Sequence, residues 1–179
     1  MACVRKLLLC IFCFVLLTAM GANSPAGSDK NPVSPYEIDK LEKKKAPEFS
    51  LKDLSGRTVT LSSLKGKVVL LNFWATWCPP CLSEMPKFNK LYKEMRGRGL
   101  EIVAISADRS EGYLKDYISK NSLEFKVLYD EDRSVVKRYK VFSMPTTFLI
   151  DKNGVIAEKF FGEYDWTDQE IKQKIEKLL

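Results

Sequence analysis

The amino-acid sequence predicts an α/β fold in which a central mixed β-sheet is flanked by helices and preceded by a small β-hairpin. Two runs, Val68–Ala75 and Leu100–Ala107, are mostly apolar, which is typical of parallel strands buried on both faces. A segment with helical spacing follows each run. Near the C-terminus, Asn153-Gly154 separates two more strand candidates and is a strong hairpin signal. The alternation of strands and helices implies a parallel sheet, to which the closing hairpin adds antiparallel edge strands.

The first elements in chain order are two short strand candidates, Phe49–Leu51 and Thr58–Leu61. They lie on either side of the turn-rich segment Asp53-Leu54-Ser55-Gly56, and so they predict the N-terminal β-hairpin extension. Between the two apolar runs, apolar residues recur at helical spacing over Pro80–Met95, which predicts a long helix.

The remaining elements follow the second apolar run. Their predicted ranges are helix Ser110–Lys120, strand Phe125–Tyr129, helix Arg133–Tyr139, strands Thr146–Asp151 and Val155–Phe161, and a last helix that ends at Leu179. The last helix is predicted to open with a capping box, Thr167-x-x-Glu170, whose two side chains would satisfy free N–H groups of the first turn.

Residues 1–22 have the order of a secretory signal peptide. Arg5 and Lys6 precede the apolar run Leu7–Met20, and small residues follow. The run is shorter than the ~20 residues of a membrane-spanning helix, so a cleaved signal is favoured, with a retained anchor as the alternative. Residues 23–45 are polar and rich in proline and predict a linker, and the folded domain is expected over 46–179. We therefore expect an extracytoplasmic protein of the periplasm or cell envelope.

The composition narrows the chemistry that the chain can perform. The chain has five cysteines and no histidine, which excludes Cys-x-x-Cys-His haem attachment and any Cys–His or Ser–His catalytic pair. Cys3, Cys10 and Cys13 lie in the predicted signal, so the mature chain keeps only Cys78 and Cys81. This pair lacks the second half of a zinc site, and we expect neither a metal nor another cofactor. The net charge of +6 is spread over single lysines, which indicates a solvated surface rather than a nucleic-acid site.

The motif Cys78-Pro79-Pro80-Cys81 stands where a buried strand ends and a helix begins, at the sheet edge where sites form in α/β folds. The dipole and free N–H groups at a helix N-terminus favour a thiolate, so Cys78 is the predicted nucleophile of thiol–disulfide exchange. Cys81, one turn further, is expected to be more buried and to resolve the mixed disulfide. So small a disulfide loop adds little stability, which favours a chemical role for the pair.

The segment Asn72–Cys81, with Glu84, Pro86, and the later motifs Met144–Asp151 and Asn153-Gly154, resembles the TlpA/ResA-type branch of the thioredoxin superfamily. The resemblance covers the whole predicted domain and implies a thioredoxin fold. Members of that branch are usually extracytoplasmic dithiol reductants, and some reduce apocytochrome cysteines in cytochrome c maturation. The resemblance thus implies an exported thiol–disulfide oxidoreductase that acts on protein thiols and disulfides and draws electrons from a membrane-embedded donor.

The resemblance also implies roles for residues around the cysteine pair. Pro145 matches a cis-proline that holds the Met144 backbone beside Cys78, ready to pair with an extended substrate peptide. Trp77 and Met144 would then bind substrate, although each also suits ordinary packing.

Two interpretations stay open for Glu84, which lies one helical turn after Cys81. One is a proton acceptor for Cys81, as the resemblance implies, and the other is a solvated first-turn acid that suits the helix dipole. Asn72 occupies the position where cytosolic thioredoxins carry a buried aspartate. Because that usual proton acceptor is missing here, Glu84 is of more interest as a proton acceptor.

Other functions compete with thiol–disulfide exchange. The chief alternative is a non-catalytic thioredoxin-fold module that binds an extended peptide, or Cu(I) through the two cysteines and Met144 or Met85. A peroxide-reducing site fits less well, because it would want a threonine three residues before the nucleophile, where this chain has Ala75.

Overall fold

The computed structural model of the protein describes residues 41–179. The predicted signal peptide, residues 1–22, and most of the predicted linker, residues 23–45, lie outside the described residues. The described strands are β1 (Ser50–Lys52), β2 (Thr58–Thr60), β3 (Val68–Trp74), β4 (Leu100–Ser106), β5 (Lys126–Tyr129), β6 (Thr146–Ile150) and β7 (Ile156–Phe161). The described α-helices are α1 (Pro79–Met95), α2 (Glu111–Lys120), α3 (Ser134–Arg138) and α4 (Gln169–Glu176).

Five strands form one mixed sheet in the order β5-β4-β3-β6-β7. Strands β3, β4 and β5 are parallel, whereas β6 is antiparallel to both β3 and β7. Strands β1 and β2 pair with each other as a separate antiparallel sheet. The predicted fold class, a mixed sheet flanked by helices with an N-terminal hairpin, is confirmed.

One detail of the predicted sheet is wrong. The sequence predicts that the closing hairpin supplies two edge strands, but β6 lies inside the sheet, between β3 and β7. Every residue of β6 is buried, whereas most of β7 is half-buried, so β6 covers one side of β3 and β7 forms the edge. The reason is that β6 is apolar or small throughout and suits a strand covered on both faces.

Alternate side chains of the buried strands divide the core between two faces of the sheet. Val68 and Leu70 of β3 pack in one cluster with residues of α1, α2 and α4. Val69 and Leu71 pack in the other cluster with residues of α3 and of the N-terminal hairpin. Helices thus cover both faces, and none of them, within residues 41–179, is long and apolar enough to cross a membrane.

Helix α4 begins one residue later than the capping box predicts. Asp168 is the N-cap, and its carboxylate accepts hydrogen bonds from the backbone N–H groups of Glu170 and Ile171. Thr167 instead donates from both its backbone N–H and its hydroxyl to the Asp165 carboxylate. The capping role of Thr167 is therefore wrong, because a turn centred on Asp165 engages this threonine first.

The sheet brings separate parts of the chain to one edge. In the antiparallel pairing of β3 with β6, Phe73 lies opposite Thr146. The segment that follows β3 and leads to Cys78 therefore lies at the same end of the sheet as Met144-Pro145, which precede β6.

Candidate active site

Cys78 and Cys81 form a disulfide bond, with 2.04 Å between their sulfur atoms. Cys78 is the N-cap of α1, and its extended backbone conformation turns the chain from the loop into the helix. Cys81 is fully buried, whereas Cys78 is 5 % exposed. Cys78 is thus the sulfur that a target can reach first, which agrees with its predicted place at the helix N-terminus.

Proline occupies the first two positions of α1, Pro79 and Pro80. Proline suits a helix start because its fixed φ is already helical and because the N–H that it lacks would have no hydrogen-bond acceptor within the helix there. In consequence, the first backbone N–H of the helix belongs to Cys81, and the first turn presents fewer hydrogen-bond donors to the Cys78 sulfur than an ordinary helix start does.

The peptide bond between Met144 and Pro145 is cis, as the resemblance implied. The Pro145 carbonyl accepts a hydrogen bond of 2.9 Å from the backbone N–H of Gly162, whose φ is 83°. Met144 is half-buried and lines a hollow together with Trp77, which is 60 % exposed. The structure thus brings the predicted substrate-binding residues Trp77 and Met144 to one surface next to the disulfide.

Glu84 is fully buried in α1, so its interpretation as a solvated acid is wrong. Its Oε1 accepts hydrogen bonds of 2.8 Å from the backbone N–H of Tyr164 and from the indole N–H of Trp166. Its Oε2 has no hydrogen-bond partner within residues 41–179. The segment after β7 covers the helix here and excludes water from the carboxyl.

Burial raises the pKa of Glu84 to about 7, although the hydrogen bonds from Tyr164 and Trp166 favour the charged form and lower it. Glu84 follows Cys81 by three residues, so the two side chains lie on the same face of α1, one turn apart. A carboxyl that titrates near neutral pH can both accept and return a proton at this position.

Asp108 is a site residue that the sequence interpretation missed. It is fully buried, and its Oδ1 accepts hydrogen bonds from the Thr76 backbone N–H (3.1 Å) and hydroxyl (2.7 Å). Its Oδ2 accepts from the Ser106 hydroxyl at 2.7 Å. Asp108 thereby ties the end of β4 to the loop that carries Cys78. The signal that would have found them is their position at the carboxyl end of a buried strand next to β3, where Ser106 is the last residue of β4 and Asp108 follows two residues later.

Asn72 lies fully buried on β3, and its amide donates to the Thr147 hydroxyl of β6 at 2.9 Å. Its Oδ1 has no hydrogen-bond partner in the described part of the chain. An amide does not take up a proton near neutral pH, so Asn72 does not replace a buried carboxylate as a proton acceptor.

Comparisons with known proteins agree with this geometry. The model of the AhpC/TSA family matches residues 43–159. The thiol-disulfide oxidoreductase ResA of a Bacillus cereus strain is 42 % identical over 135 residues, which are 75 % of this chain and 77 % of ResA. The thioredoxin-like protein YneN of Bacillus subtilis (strain 168) is 42 % identical over 146 residues, 80 % of this chain and 84 % of YneN. A crystal structure of a candidate thiol:disulfide interchange protein DsbE from Chlorobium tepidum superposes with a TM-score of 0.73 at 33 % identity, and covers 76 % of this chain and 96 % of that one.

Proposed function

Because this chain belongs to the AhpC/TSA family of thioredoxin-like proteins and is similar to thiol-disulfide oxidoreductases of the ResA type, we propose that it reduces protein disulfides outside the cytoplasm. The observation that carries the proposal is the Cys78–Cys81 disulfide, which lies at the N-terminus of α1, at the sheet end that also holds the cis-Pro145. Of the pair, only Cys78 keeps any exposed surface, at 5 %, whereas Cys81 is fully buried.

The proposed reaction has two exchange steps. In the first, the Cys78 thiolate of the reduced protein attacks one sulfur of a target disulfide. A mixed disulfide forms, and the second target sulfur leaves as a thiolate and takes up a proton. In the second step, the Cys81 thiolate attacks the Cys78 sulfur and restores the disulfide seen in the structure. The bond between Cys78 and the target sulfur breaks, and that sulfur leaves as a second thiolate and takes up a proton. Two electrons thus pass from the protein to the target, and the proton that each cysteine gave up balances the proton that each target sulfur takes up.

Glu84 is proposed to accept the Cys81 proton before the second step. Cys81 is buried, and burial away from positive charge disfavours a thiolate, so a base must take its proton. The carboxyl of Glu84 suits this task because its pKa is raised to about 7 and because its Oε2 makes no hydrogen bond within residues 41–179.

We propose that the mature protein is exported through residues 1–22 and consists of the domain 46–179 behind the linker 23–45. An upstream donor in the membrane would return the disulfide to the dithiol, and apocytochrome c is one candidate target. The support for these assignments is the signal-like N-terminus and the likeness to the ResA branch. The retained anchor would tether the same domain to the membrane.

Reduction of insulin disulfides by the reduced protein tests the proposal. We expect turnover by the wild type and none by Cys78→Ser, whereas Cys81→Ser should accumulate a mixed disulfide with the target because its second step is blocked. Absence of turnover by the reduced wild type would instead favour the non-catalytic peptide- or Cu(I)-binding module. A mixed disulfide trapped by Cys78→Ser through Cys81 would contradict the assigned order of attack.

A further inference from the structure

A concave surface next to Cys78 consists of two adjoining hollows, with volumes of about 460 and 290 Å³. Trp77 and Arg133 border both hollows, so the two form one continuous area. We call this area the Trp77 surface and define it by Trp77, Arg109, Tyr113, Arg133, Phe142 and Met144.

The Trp77 surface contains three of the four large hydrophobic residues that are exposed within residues 41–179. Trp77 is 60 % exposed, Tyr113 64 % and Phe142 42 %, and within residues 41–179 only Tyr164 is another large exposed hydrophobic residue. Large apolar side chains gathered on one exposed area mark an interaction site. Aromatic residues and arginine are also the residue types that most often anchor a bound partner.

The charge of this surface is positive. Arg109 and Arg133 are exposed, and among the described residues neither side chain makes an ion pair or a hydrogen bond. No acidic residue lines either hollow. Glu111, Glu131 and Asp132 line a separate hollow that Arg109 also borders. Glu111 pairs with Lys115, and within residues 41–179 none of the three acids forms a salt bridge with Arg109 or Arg133. Both guanidinium groups are therefore available to a carboxylate brought by a partner.

The Trp77 surface adjoins both parts of the exchange site. Trp77 directly precedes Cys78, and Met144 directly precedes the cis-Pro145. A target whose sulfur reaches Cys78 must therefore place the residues beside its cysteine near this surface. The occupant is for this reason the polypeptide that carries the target disulfide.

We propose that the Trp77 surface selects targets whose disulfide is flanked by acidic and aromatic side chains. The proposal rests on the proposed function, because it concerns the substrates of the same reaction. The carboxylates pair with Arg109 and Arg133, and the aromatic rings pack on Trp77, Tyr113 and Phe142.

Model peptides with one internal disulfide test the charge preference. The peptides differ only in the residues beside one cysteine, which are Asp, Asn or Lys. With reduced wild-type protein at low ionic strength, we expect the Asp peptide to be reduced about fivefold faster than the Asn peptide, and the Lys peptide more slowly than either. The preference should shrink as salt is added, because the pairs are exposed.

The double variant Arg109→Glu/Arg133→Glu should lose or invert the preference for the Asp peptide. Glutamate keeps a long unbranched side chain at position 133, where the φ of 57° is already unfavourable for any non-glycine residue. The matched control is Lys52→Glu/Lys65→Glu, which changes the net charge equally at two exposed lysines outside the Trp77 surface. The control should keep the wild-type preference.

The aromatic part has its own test with Tyr113→Ser. The wild type should reduce a peptide with Phe beside the cysteine faster than one with Ser, and Tyr113→Ser should reduce that difference at least twofold. Equal rates for Asp and Asn peptides, or an Asp preference that survives in Arg109→Glu/Arg133→Glu, would overturn the proposal.

Reduction of 2-hydroxyethyl disulfide, a small uncharged substrate that does not need the Trp77 surface, distinguishes failure of the exchange reaction from failure of target selection. If it is not reduced, the proposed function fails, and the docking proposal is then judged by binding. For this, serine replaces the peptide cysteines, and perturbation of the Trp77 indole signal in NMR spectra is followed. Stronger binding of the Asp than of the Asn peptide supports the proposal. Two other results would overturn the proposal if the wild type shows no preference between the peptides. One is a dimer of the wild type that the double variant does not form, and the other is binding of the wild type to phosphatidylglycerol vesicles that the double variant loses.

Discussion

Glu84 is the residue whose surroundings differ most from those of an ordinary acid on a helix. The backbone N–H of Tyr164 and the Trp166 indole hold one oxygen, while the other oxygen has no hydrogen-bond partner within residues 41–179. Two donors would favour a carboxylate, but desolvation outweighs them, and the pKa rises to about 7. The protonated and charged forms are therefore close in free energy at neutral pH.

This shift makes the stability of the oxidised protein depend on pH. Because the folded-state pKa of Glu84 lies above the value of 4.5 in the unfolded chain, the folded state binds the proton more tightly. Proton binding by Glu84 therefore stabilises the folded state fully below pH 4.5, and this stabilisation is lost as the pH rises to about 7. We expect the free energy of unfolding to fall by about 3 kcal/mol across this window, relative to Glu84→Gln. Urea unfolding at several pH values measures it, and parallel curves for the two proteins would contradict it.

Asp108 holds the loop before Cys78 in place, because its carboxylate accepts hydrogen bonds from Thr76 of that loop and from Ser106 of β4. Asp108→Ala leaves the N–H and hydroxyl of the half-buried Thr76 and the hydroxyl of the buried Ser106 without their acceptor, and should lower the free energy of unfolding by about 3 kcal/mol. We also expect about a tenfold loss in the rate of insulin reduction, because the loop before Cys78 is no longer held.

The control for Asp108→Ala is Asp116→Ala, at an exposed aspartate of α2. It should change stability by less than about 0.5 kcal/mol and leave the reduction rate unaltered. If the two variants reduce insulin equally well, Asp108 has no role in holding the reactive loop.

At the scale of elements, the start of α1 determines the electronic surroundings of Cys78. A strongly oxidising disulfide requires a reduced form that is stabilised by donors around the nucleophilic thiolate. Pro79 and Pro80 have no N–H to donate, and the chain has no histidine to provide a positive partner. The helix dipole and the Cys81 N–H remain as the stabilising groups of this turn.

We therefore expect the Cys78–Cys81 couple to be a reductant, with a potential nearer to the thioredoxin value of about −270 mV than to the value of about −120 mV of strong oxidants. Redox titration against glutathione or dithiothreitol buffers measures it. Replacement of both prolines, Pro79→Ala/Pro80→Ala, should raise the potential because two donors are restored. A wild-type potential above about −180 mV would make the protein a disulfide donor.

A second prediction for a single element concerns the start of α4. The Asp168 carboxylate accepts two backbone N–H groups, and α4 buries Ile171 and Ile175 in the core. Asp168→Ala should therefore cost about 1 kcal/mol of unfolding free energy. Thr167→Ala should cost less than about 0.5 kcal/mol, because its hydroxyl only donates to Asp165 in a surface turn. Denaturant unfolding of both variants measures the two losses. A larger loss of unfolding free energy in Thr167→Ala than in Asp168→Ala would support the capping box predicted from the sequence.

At the scale of the whole molecule, the sheet order gathers the reactive residues at one edge. The loops after β3 and β4 lie side by side because these strands are parallel, and the segment before β6 joins them because β6 is antiparallel to β3. Cys78, Asp108 and Pro145 thus come from three distant parts of the chain. The segment after β7 then covers Glu84.

The proposed export concerns the whole chain, and the N-terminus of the mature protein tests it. Removal of a signal at the end of the apolar run should yield a mature protein whose N-terminus lies between Met20 and Ala26, as mass spectrometry of the cell-envelope fraction would reveal. Residues 1–26 fused to a reporter that is active only outside the cytoplasm should give activity. Intact Met1 in a soluble cytosolic fraction would contradict export.

The sequence by itself determined the elements of the domain and the centre of its chemistry. Continuous apolar runs identify β3 and β4, because a strand covered on both faces leaves no place for polar residues. The spacing of Cys78 and Cys81 after such a run indicates a reactive pair at a helix start, since local geometry alone brings the two sulfurs within reach. The cis bond before Pro145 followed from the resemblance to a family and not from any local rule.

Only the tertiary structure decided the features that depend on contacts between distant residues. The burial of Glu84 requires Tyr164 and Trp166, from a far later part of the chain, to cover it, and nothing in the pattern of α1 distinguishes it from a solvated acid. The interior place of β6 depends on which strand pairs with β3. The hydrogen bonds of Asp108 depend on two loops that meet after the sheet has formed. Each is a consequence of packing, and periodicity along a single segment carries no information about it.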